Sequence, residues 1–446
     1  VSIQTTSDTR LLDAAVEAAR WIRSSEQRTP YGLVWQPDPD QPERTATVTA
    51  PPTIYSGNAG VVLFFLELAQ ATGEQNYLEA ARLGADHIIA TWREVLDYEF
   101  FLDVRYDFNH GLAGTAFVLA HVWRASGDQR YRDVALEISE YIVEAAQPEG
   151  DGLRWIGASS AALGDGATVL YLLWAAKEFD EPRFREVAAR AGRLILSQAE
   201  PDPRGGWRWI AYPMERIGAP NTYMPNFEFG TSGVALVMAR LYAETGESAF
   251  LEAAKQGAAH IQALATVRND AALLFHREPD MTDLFYLGYC GGPVGTARIF
   301  YELYRLTGEQ EYREWLERFA RGITTSGVPE KQTPGLWNVV CQCCGTAGIA
   351  DFFTSLGVAL EKPEYLTYAR RVAEQTLSRA TNLDGKGLRW YQAWTRVKPW
   401  EVNAETGYMI GAAGVGSAFL HLYSAEQQQY RAILFPDNPF PERYPA

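Results

Sequence analysis

The chain has 446 residues, with 40 Lys and Arg against 55 Asp and Glu, and a formal charge of −15 at neutral pH. That acidic balance argues against nucleic acid or an anionic membrane as the main partner, while 47% apolar and 21% charged residues support a large packed core rather than disorder. Four cysteines in this length cannot form a disulfide scaffold, and no run of about 18 apolar residues predicts an integral membrane segment. The first ten residues, VSIQTTSDTR, have neither the basic nor the apolar stretch of a secretory signal, so the expected location is cytoplasmic.

In chain order, an amphipathic helix is predicted first, over 11–24. From there one unit recurs. Each copy begins with Gly-x-x-Gly opening an apolar helix: GNAG at 57–60, GLAG at 111–114, a degenerate LGDG at 163–166, GTSG at 230–233, GPVG at 292–295, GTAG at 345–348 and GAAG at 411–414. Helices such as VVLFFLELAQA and TAFVLAHVWRA are apolar almost all round, which marks them as buried. Six of them run into a turn phrase: TGEQNYLEAA at 72–81, SGDQRYRDVA at 126–135, FDEPRFREVA at 179–188, TGESAFLEAA at 245–254, TGEQEYREWL at 307–316 and LEKPEYLTYA at 360–369. Gly or Asp lets the chain turn there, and an acidic residue suits the N-terminus of the next helix. The helices after the turns, such as YLEAARLGADHII, are amphipathic and belong outside.

A third phrase, Gly followed by Trp, precedes several inner helices, as in GLRW at 152–155, GGWRW at 205–209 and GLRW at 387–390, and reads as a short extended segment. The last inner helix, near 415–424, lacks an outer helix after it, and the helix at 11–24 is the partner left over. A length prior of about 150 residues per domain suggests two or three domains; the repeat replaces it with one all-α domain over 1–446, an (α/α)7 toroid of seven inner and seven outer helices. The Pro-rich tail at 425–446 is expected to pack along the surface. At the end of the ring where seven helix N-termini converge, glycines allow close backbone approach and leave N–H groups facing a central cup. For most repeats packing alone accounts for them.

Counting back from each first glycine aligns the repeats. The residues two before it are Tyr55, Asn109, Ala161, Glu228, Cys290, Cys343 and Met409. Cys290 and Cys343 thus hold the same place in repeats five and six, and Cys344 follows at once. Three thiols should meet at the mouth of the barrel beside helix N-termini, whose partial positive charge lowers thiol pKa. Such a cluster reads as a soft-metal site, zinc first. Cys341 reads as a spare thiol in the connecting segment; closing an all-thiolate site with the other three is the alternative.

These residues resemble the lanthionine synthetase C-like family, whose zinc ligands come from a Trp-Cys-x-Gly motif in repeat five and a Cys-His-Gly motif in repeat six. Tyr-Cys-Gly-Gly at 289–292 and Cys-Cys-Gly at 343–345 match them, with Cys344 at the histidine position. The resemblance covers roughly 10–436. It implies Zn2+ on Cys290, Cys343 and Cys344, a dehydrated precursor peptide as substrate, and addition of a peptide Cys thiolate to dehydroalanine or dehydrobutyrine to close a thioether ring. Three thiolates make zinc more negative than two thiolates and an imidazole, so a fourth thiolate binds more loosely and stays more nucleophilic. With no kinase, lyase or dehydratase domain evident, dehydration falls to a separate dehydratase.

The departures concern proton transfer. The family's histidine before the repeat-four Gly-x-x-Gly is Phe229, its aspartate ahead of repeat three is replaced by Ser159 and Ser160, and the aromatic after the repeat-five cysteine is Gly291. Candidate replacements are Asp107 and His110, as an Asp-x-x-His pair that could orient an imidazole, and Glu228, which could donate a proton if burial raised its pKa. Against these stand plainer roles: Asp107 in a turn, His110 bonded to backbone, Glu228 stabilised by a helix dipole. Asp165 reads as a cap, and His87, His121, His260, His276 and His421 as mostly surface or packing residues. Two rival functions remain: a zinc protein that binds a peptide or partner enzyme without catalysis, and a sugar-processing α/α barrel using scattered carboxylates such as Asp107, Glu228 and Glu405.

Overall fold

A computed structural model describes residues 8–42, 52–98, 103–211, 221–331, 335–393 and 395–445. The apolar segments form seven inner helices: α2 (Asn58–Thr72), α5 (Leu112–Ser126), α7 (Asp165–Glu178), α9 (Thr231–Thr245), α11 (Pro293–Thr307), α13 (Thr346–Ala359) and α15 (Ala412–Glu426). Their burial follows from composition; in α2, every residue from Asn58 to Leu68 is buried. The outer helices are α1 (Arg10–Ser24), α3 (Gln75–Thr91), α6 (Gln129–Ala145), α8 (Pro182–Ser197), α10 (Ser248–Leu264), α12 (Gln310–Thr324) and α14 (Pro363–Ser378), with a single-turn α4 (Glu94–Asp97) in one connection.

Each inner helix packs on the outer helix that follows it, and α15 packs on α1. The inner helices touch in the order α2, α5, α7, α9, α11, α13, α15 and back to α2, so the ring closes. The turn phrases behave as expected: Gly73, Gly127, Gly246 and Gly308 end four inner helices at φ 72–73°, and where glycine is missing Asp180 (φ 57°) and Glu361 (φ 52°) take the same left-handed conformation. In the Gly-Trp segments, Trp155, Trp209 and Trp390 donate their indole N–H to the carbonyls of Ile142, Ile195 and Thr376, near the C-termini of α6, α8 and α14. These carbonyls belong to the last turn, where intrahelical donors run out.

One girdle of backbone hydrogen bonds joins the loops that lead into the inner helices. The N–H of Glu228 donates to Cys290 O (2.8 Å), Cys290 to Cys343 O (3.1 Å), Cys343 to Met409 O (2.9 Å), Met409 to Tyr55 O (2.9 Å) and Tyr55 to Asn109 O (2.9 Å). All six residues lie two before a repeat glycine. At the degenerate third repeat the Ser160 hydroxyl donates to Glu228 O instead. The second glycine of each motif is what lets these loops fold back onto their helices: a Cβ on Gly295 would lie 2.1 Å from Tyr289 O, and one on Gly348 2.2 Å from Gln342 O.

The tail departs from the sequence expectation. It does not lie along the surface but enters the bore from the C-terminal ends of the inner helices. Phe435 packs on Phe108 and Tyr408, and Phe440 on Tyr301 and Phe352. Its prolines, 436, 439 and 441, carry no N–H that would need a partner inside the ring. His421 differs too: on α15 it sits between Glu67 of α2 and Asp351 of α13, at 2.7 Å from each. Burial opposes a charge there, but the two carboxylates override it and hold the imidazole pKa well above its usual value. Because the folded pKa is raised, the stabilisation from this pair is complete below about pH 6.5 and is lost as pH rises through the raised value. Replacing His421 by Gln strands the buried Glu67 and the part-buried Asp351 and is expected to cost about 3 kcal/mol. Thermal melts of wild type and His421→Gln should differ most at pH 6 and converge at alkaline pH.

Candidate metal centre

Cys290 lies in the loop that ends at α11, and Cys343 and Cys344 in the loop that ends at α13. Upstream, Phe285–Tyr286 and Leu336–Trp337 pair as short parallel strands, so the two loops run side by side. Gly288 permits their contact: a Cβ there would stand 2.6 Å from the Cys344 backbone. Cys290 N and Tyr289 N both donate to Cys343 O. The outcome is three sulfurs within 4.8 Å of one another, with Cys290 and Cys343 buried and Cys344 partly open. Cys290 Sγ is 2.9 Å from Cys344 Sγ, and Cys344 Sγ is 3.7 Å from Cys343 Sγ.

This geometry suits a thiophilic metal. A tetrahedral centre with metal–sulfur bonds of about 2.3 Å spaces its sulfurs about 3.8 Å apart, and a disulfide needs about 2.05 Å; the Cys344–Cys343 separation matches the first, and the Cys290–Cys344 separation falls between the two, too long for a disulfide and shorter than the metal-bound spacing. The Cys290 and Cys344 thiols donate to Cys343 and hold its pKa well below the usual thiol range, with a smaller contribution from the Tyr55 hydroxyl. Hydrogen bonds to Cys343 and to Cys344, then burial, push Cys290 up. Cys341 is buried but stands outside the cluster. Its N–H and that of Val340 donate to the Gln392 side chain, and burial, then the charge of Cys343, raise its thiol to about 12.

The proton-transfer candidates surround these thiols unequally. Glu228 joins the Cys290 loop through the girdle; burial first, then the Cys343 charge, hold its carboxyl well above the usual range, which favours the protonated acid. Asp107 is buried and accepts from His110 N at 2.7 Å, while His110 Nδ1 is 3.8 Å from the same oxygen. The ring of His110 stacks on Tyr55 at 4.3 Å, and burial lowers its pKa to about 3, so it is neutral. Asp165 accepts from the N–H groups of Trp155, Ile156 and Gly157, outside its own helix, and clamps the hairpin before α7. Phe229 packs with Val104, Leu163, Ala211 and Met224. Glu405 accepts from Asn403 at 2.8 Å.

Sequence reasoning missed Tyr286 and His276. The Tyr286 ring lies in the space a side chain on Gly291 would take, 2.9 Å from the Cβ position, beside Cys344 and Cys290. His276, from the loop after α10, stacks on it at 4.1 Å and 11°. Burial, with Arg277 and Arg396 nearby, lowers its pKa to about 4. Neither residue shares a repeat position, so only the folded chain could reveal them; Tyr55, by contrast, stood at the repeat position of Cys290 and Cys343.

A closed ring of inner and outer helices with a three-thiol cluster on one rim defines an α/α toroid with a potential soft-metal centre. The lanthionine synthetase C-like protein family matches residues 103–337 and 230–435, and the chain belongs to that family. Among solved structures, nisin cyclase is similar at 13% identity, with a TM-score of 0.62 over 87% of this chain and 91% of its own, which supports the fold. An unsaturated glucuronyl hydrolase specific for heparin (14% identity, TM-score 0.49, 94% and 97% covered) and an inactive variant of an α-1,6-mannanase of Salegentibacter sp. HEL1_6 (13%, 0.47, 93% and 99%) match with lower scores. No curated protein sequence matches the chain significantly. Among the described helices none is long and apolar enough to cross a membrane.

Because Cys341 stands apart from the other three thiols, Cys341→Ala is expected to leave uptake of a thiophilic divalent metal unchanged. Cys344→Ala should weaken it at least tenfold, as read by competition with a chromophoric chelator.

Proposed function

We propose that the protein is a thioether-forming cyclase acting on a dehydrated precursor peptide, with zinc held by Cys290, Cys343 and Cys344. The observation that carries this reading is the meeting of three thiols from two repeats at the cup, with Cys341 excluded. Three protein sulfurs leave to a substrate thiol one of the four positions zinc prefers. When bound, zinc supplies the Lewis acidity that keeps a peptide thiol ionised at neutral pH. In the ring closure a C–S bond forms at the β-carbon of dehydroalanine or dehydrobutyrine, the C=C π bond breaks, and the α-carbon takes a proton. Glu228 is the proton donor in this proposal, since its enclosure favours the protonated acid beside the thiols. His110 and Asp107 shape the cup wall through Tyr55, and the neutral His110 imidazole is the alternative proton-transfer group, as an acceptor. A separate dehydratase provides the dehydrated residues, and the setting is cytoplasmic, where free thiols persist.

Phe229 favours a second reading, since it fills an apolar contact with a side chain that cannot carry a proton. Under it the protein grips a peptide or partner enzyme and zinc is structural. Incubation with a dehydrated, cysteine-containing peptide, followed by thiol alkylation and mass spectrometry, separates the two. A cyclase removes the alkylatable thiol without changing peptide mass; a binding protein leaves it free. Glu228→Gln should slow ring closure about 10²-fold or more, and Cys344→Ala should abolish it. Cyclisation retained by Cys344→Ala would sink the proposal.

A further inference from the structure

The tail in the bore is tied to both loops that carry the thiols, by two separate routes. On one side Asp437 meets the residue next to Cys290: Tyr289 donates its hydroxyl to Asp437 Oδ2 at 2.6 Å. Arg298 of α11 pairs with Asp437 Oδ1 at 2.9 Å, donates to the Asp437 carbonyl at 3.3 Å, and lies over the Tyr289 ring at 4.7 Å. Tyr289 also packs on Phe227, the neighbour of Glu228, at 5.2 Å. On the other side Ile433 N donates to Glu67 Oε1 at 3.0 Å, and Glu67 grips His421, which grips Asp351. Asp351 accepts from Gln342 at 3.3 Å, and Gln342 stands between Cys341 and Cys343. Gln342 also donates to Gly414 O at 3.0 Å.

Tyr289, Gln342 and Tyr408 occupy one repeat position, three before the first glycine, directly before Cys290, Cys343 and Met409. They line the cavity under the rim together with Asp351, His421 and Asp437. The thiols therefore sit on a floor whose underside is held by the tail. The Tyr289–Asp437, Gln342–Gly414 and Glu67–His421 links are buried and the others part-buried, so the buried ones resist being broken without replacement.

We propose that the C-terminal tail is a positioning element for the thiol centre, with Asp437 setting the place of Cys290 through Tyr289. Asp437 is a positioning residue: it touches neither metal nor substrate. The proposal rests on the metal reading above, and the test separates the two. The full chain is stripped of metal and titrated with cobalt(II), whose sulfur-to-metal charge-transfer band reports thiolate ligation directly. Wild type, Tyr289→Phe and Asp437→Ala are compared, with thermal melts alongside. Tyr289→Phe keeps the ring and removes only the hydroxyl, so it guards against a variant that merely fails to fold.

The expected result is a 10–100-fold loss of cobalt affinity in both variants, the range for outer partners of metal ligands, with a shifted charge-transfer band and, in the double variant, little further loss. Cobalt affinity and spectrum equal to wild type in Tyr289→Phe and Asp437→Ala, even with lowered melting temperatures, would show that the tail only stabilises the ring and would overturn the inference while leaving the metal centre standing. A wild-type chain that takes up no cobalt overturns both readings.

Discussion

The girdle of backbone hydrogen bonds at the rim is the constraint on which the rest of the molecule depends. Seven helices cannot converge at one end of a ring unless the loops entering them are satisfied, because buried backbone N–H and carbonyl groups left unpaired are costly. Here the residue two before the repeat glycine passes its N–H to the carbonyl of its neighbour in five repeats, from Glu228 through Cys290, Cys343, Met409 and Tyr55 to Asn109. The glycines follow from this, since the loops fold onto helix starts with no room for a Cβ. The same bonds fix Cys290 against Cys343.

That rigidity holds a cluster of titratable side chains at one arc of the rim. Repeats five and six supply thiols, repeat four a carboxyl, and repeat one a phenol that reaches Cys343. The other repeats place Asn109, Ala161 and Met409 at the same position and contribute scaffold. Substitutions elsewhere are compensated by neighbours distant in sequence. Gly291 leaves a gap that the Tyr286 ring fills. Phe229 turns into an apolar contact with Val104, Leu163, Ala211 and Met224, and its sequence neighbour Glu228 carries the proton-bearing group.

The ring is also finished from below. A bore lined by aromatic side chains and a charged Glu67–His421–Asp351 cluster would be costly to leave half-filled, and the tail supplies both apolar cover and hydrogen bonds. The two ends of the molecule are thereby linked through the floor residues Tyr289 and Gln342, each adjacent to a thiol.

The sequence by itself determined the architecture: seven Gly-x-x-Gly starts, six turn phrases and a spare N-terminal helix dictate a closed double ring, because each apolar helix must be buried and each amphipathic one must cover it. It also determined which thiols meet, since equal repeat positions become neighbouring positions on a rim. Where residues lie off the repeat, that logic has no purchase. The tail carried no period, so its place in the bore rather than on the surface followed only from the cavity the ring creates. His421 looked like any helical histidine until three inner helices brought two carboxylates to it. Tyr286 reached the mouth from a two-residue strand and His276 from an irregular loop, both off the repeat. Cys341 could have been a fourth ligand on spacing alone, and the fold excluded it from the cluster because hydrogen bonds to Gln392 hold its backbone and that of Val340 in the connecting segment. Local pattern sets what each segment is; only packing between distant segments decides which polar groups end up facing one another.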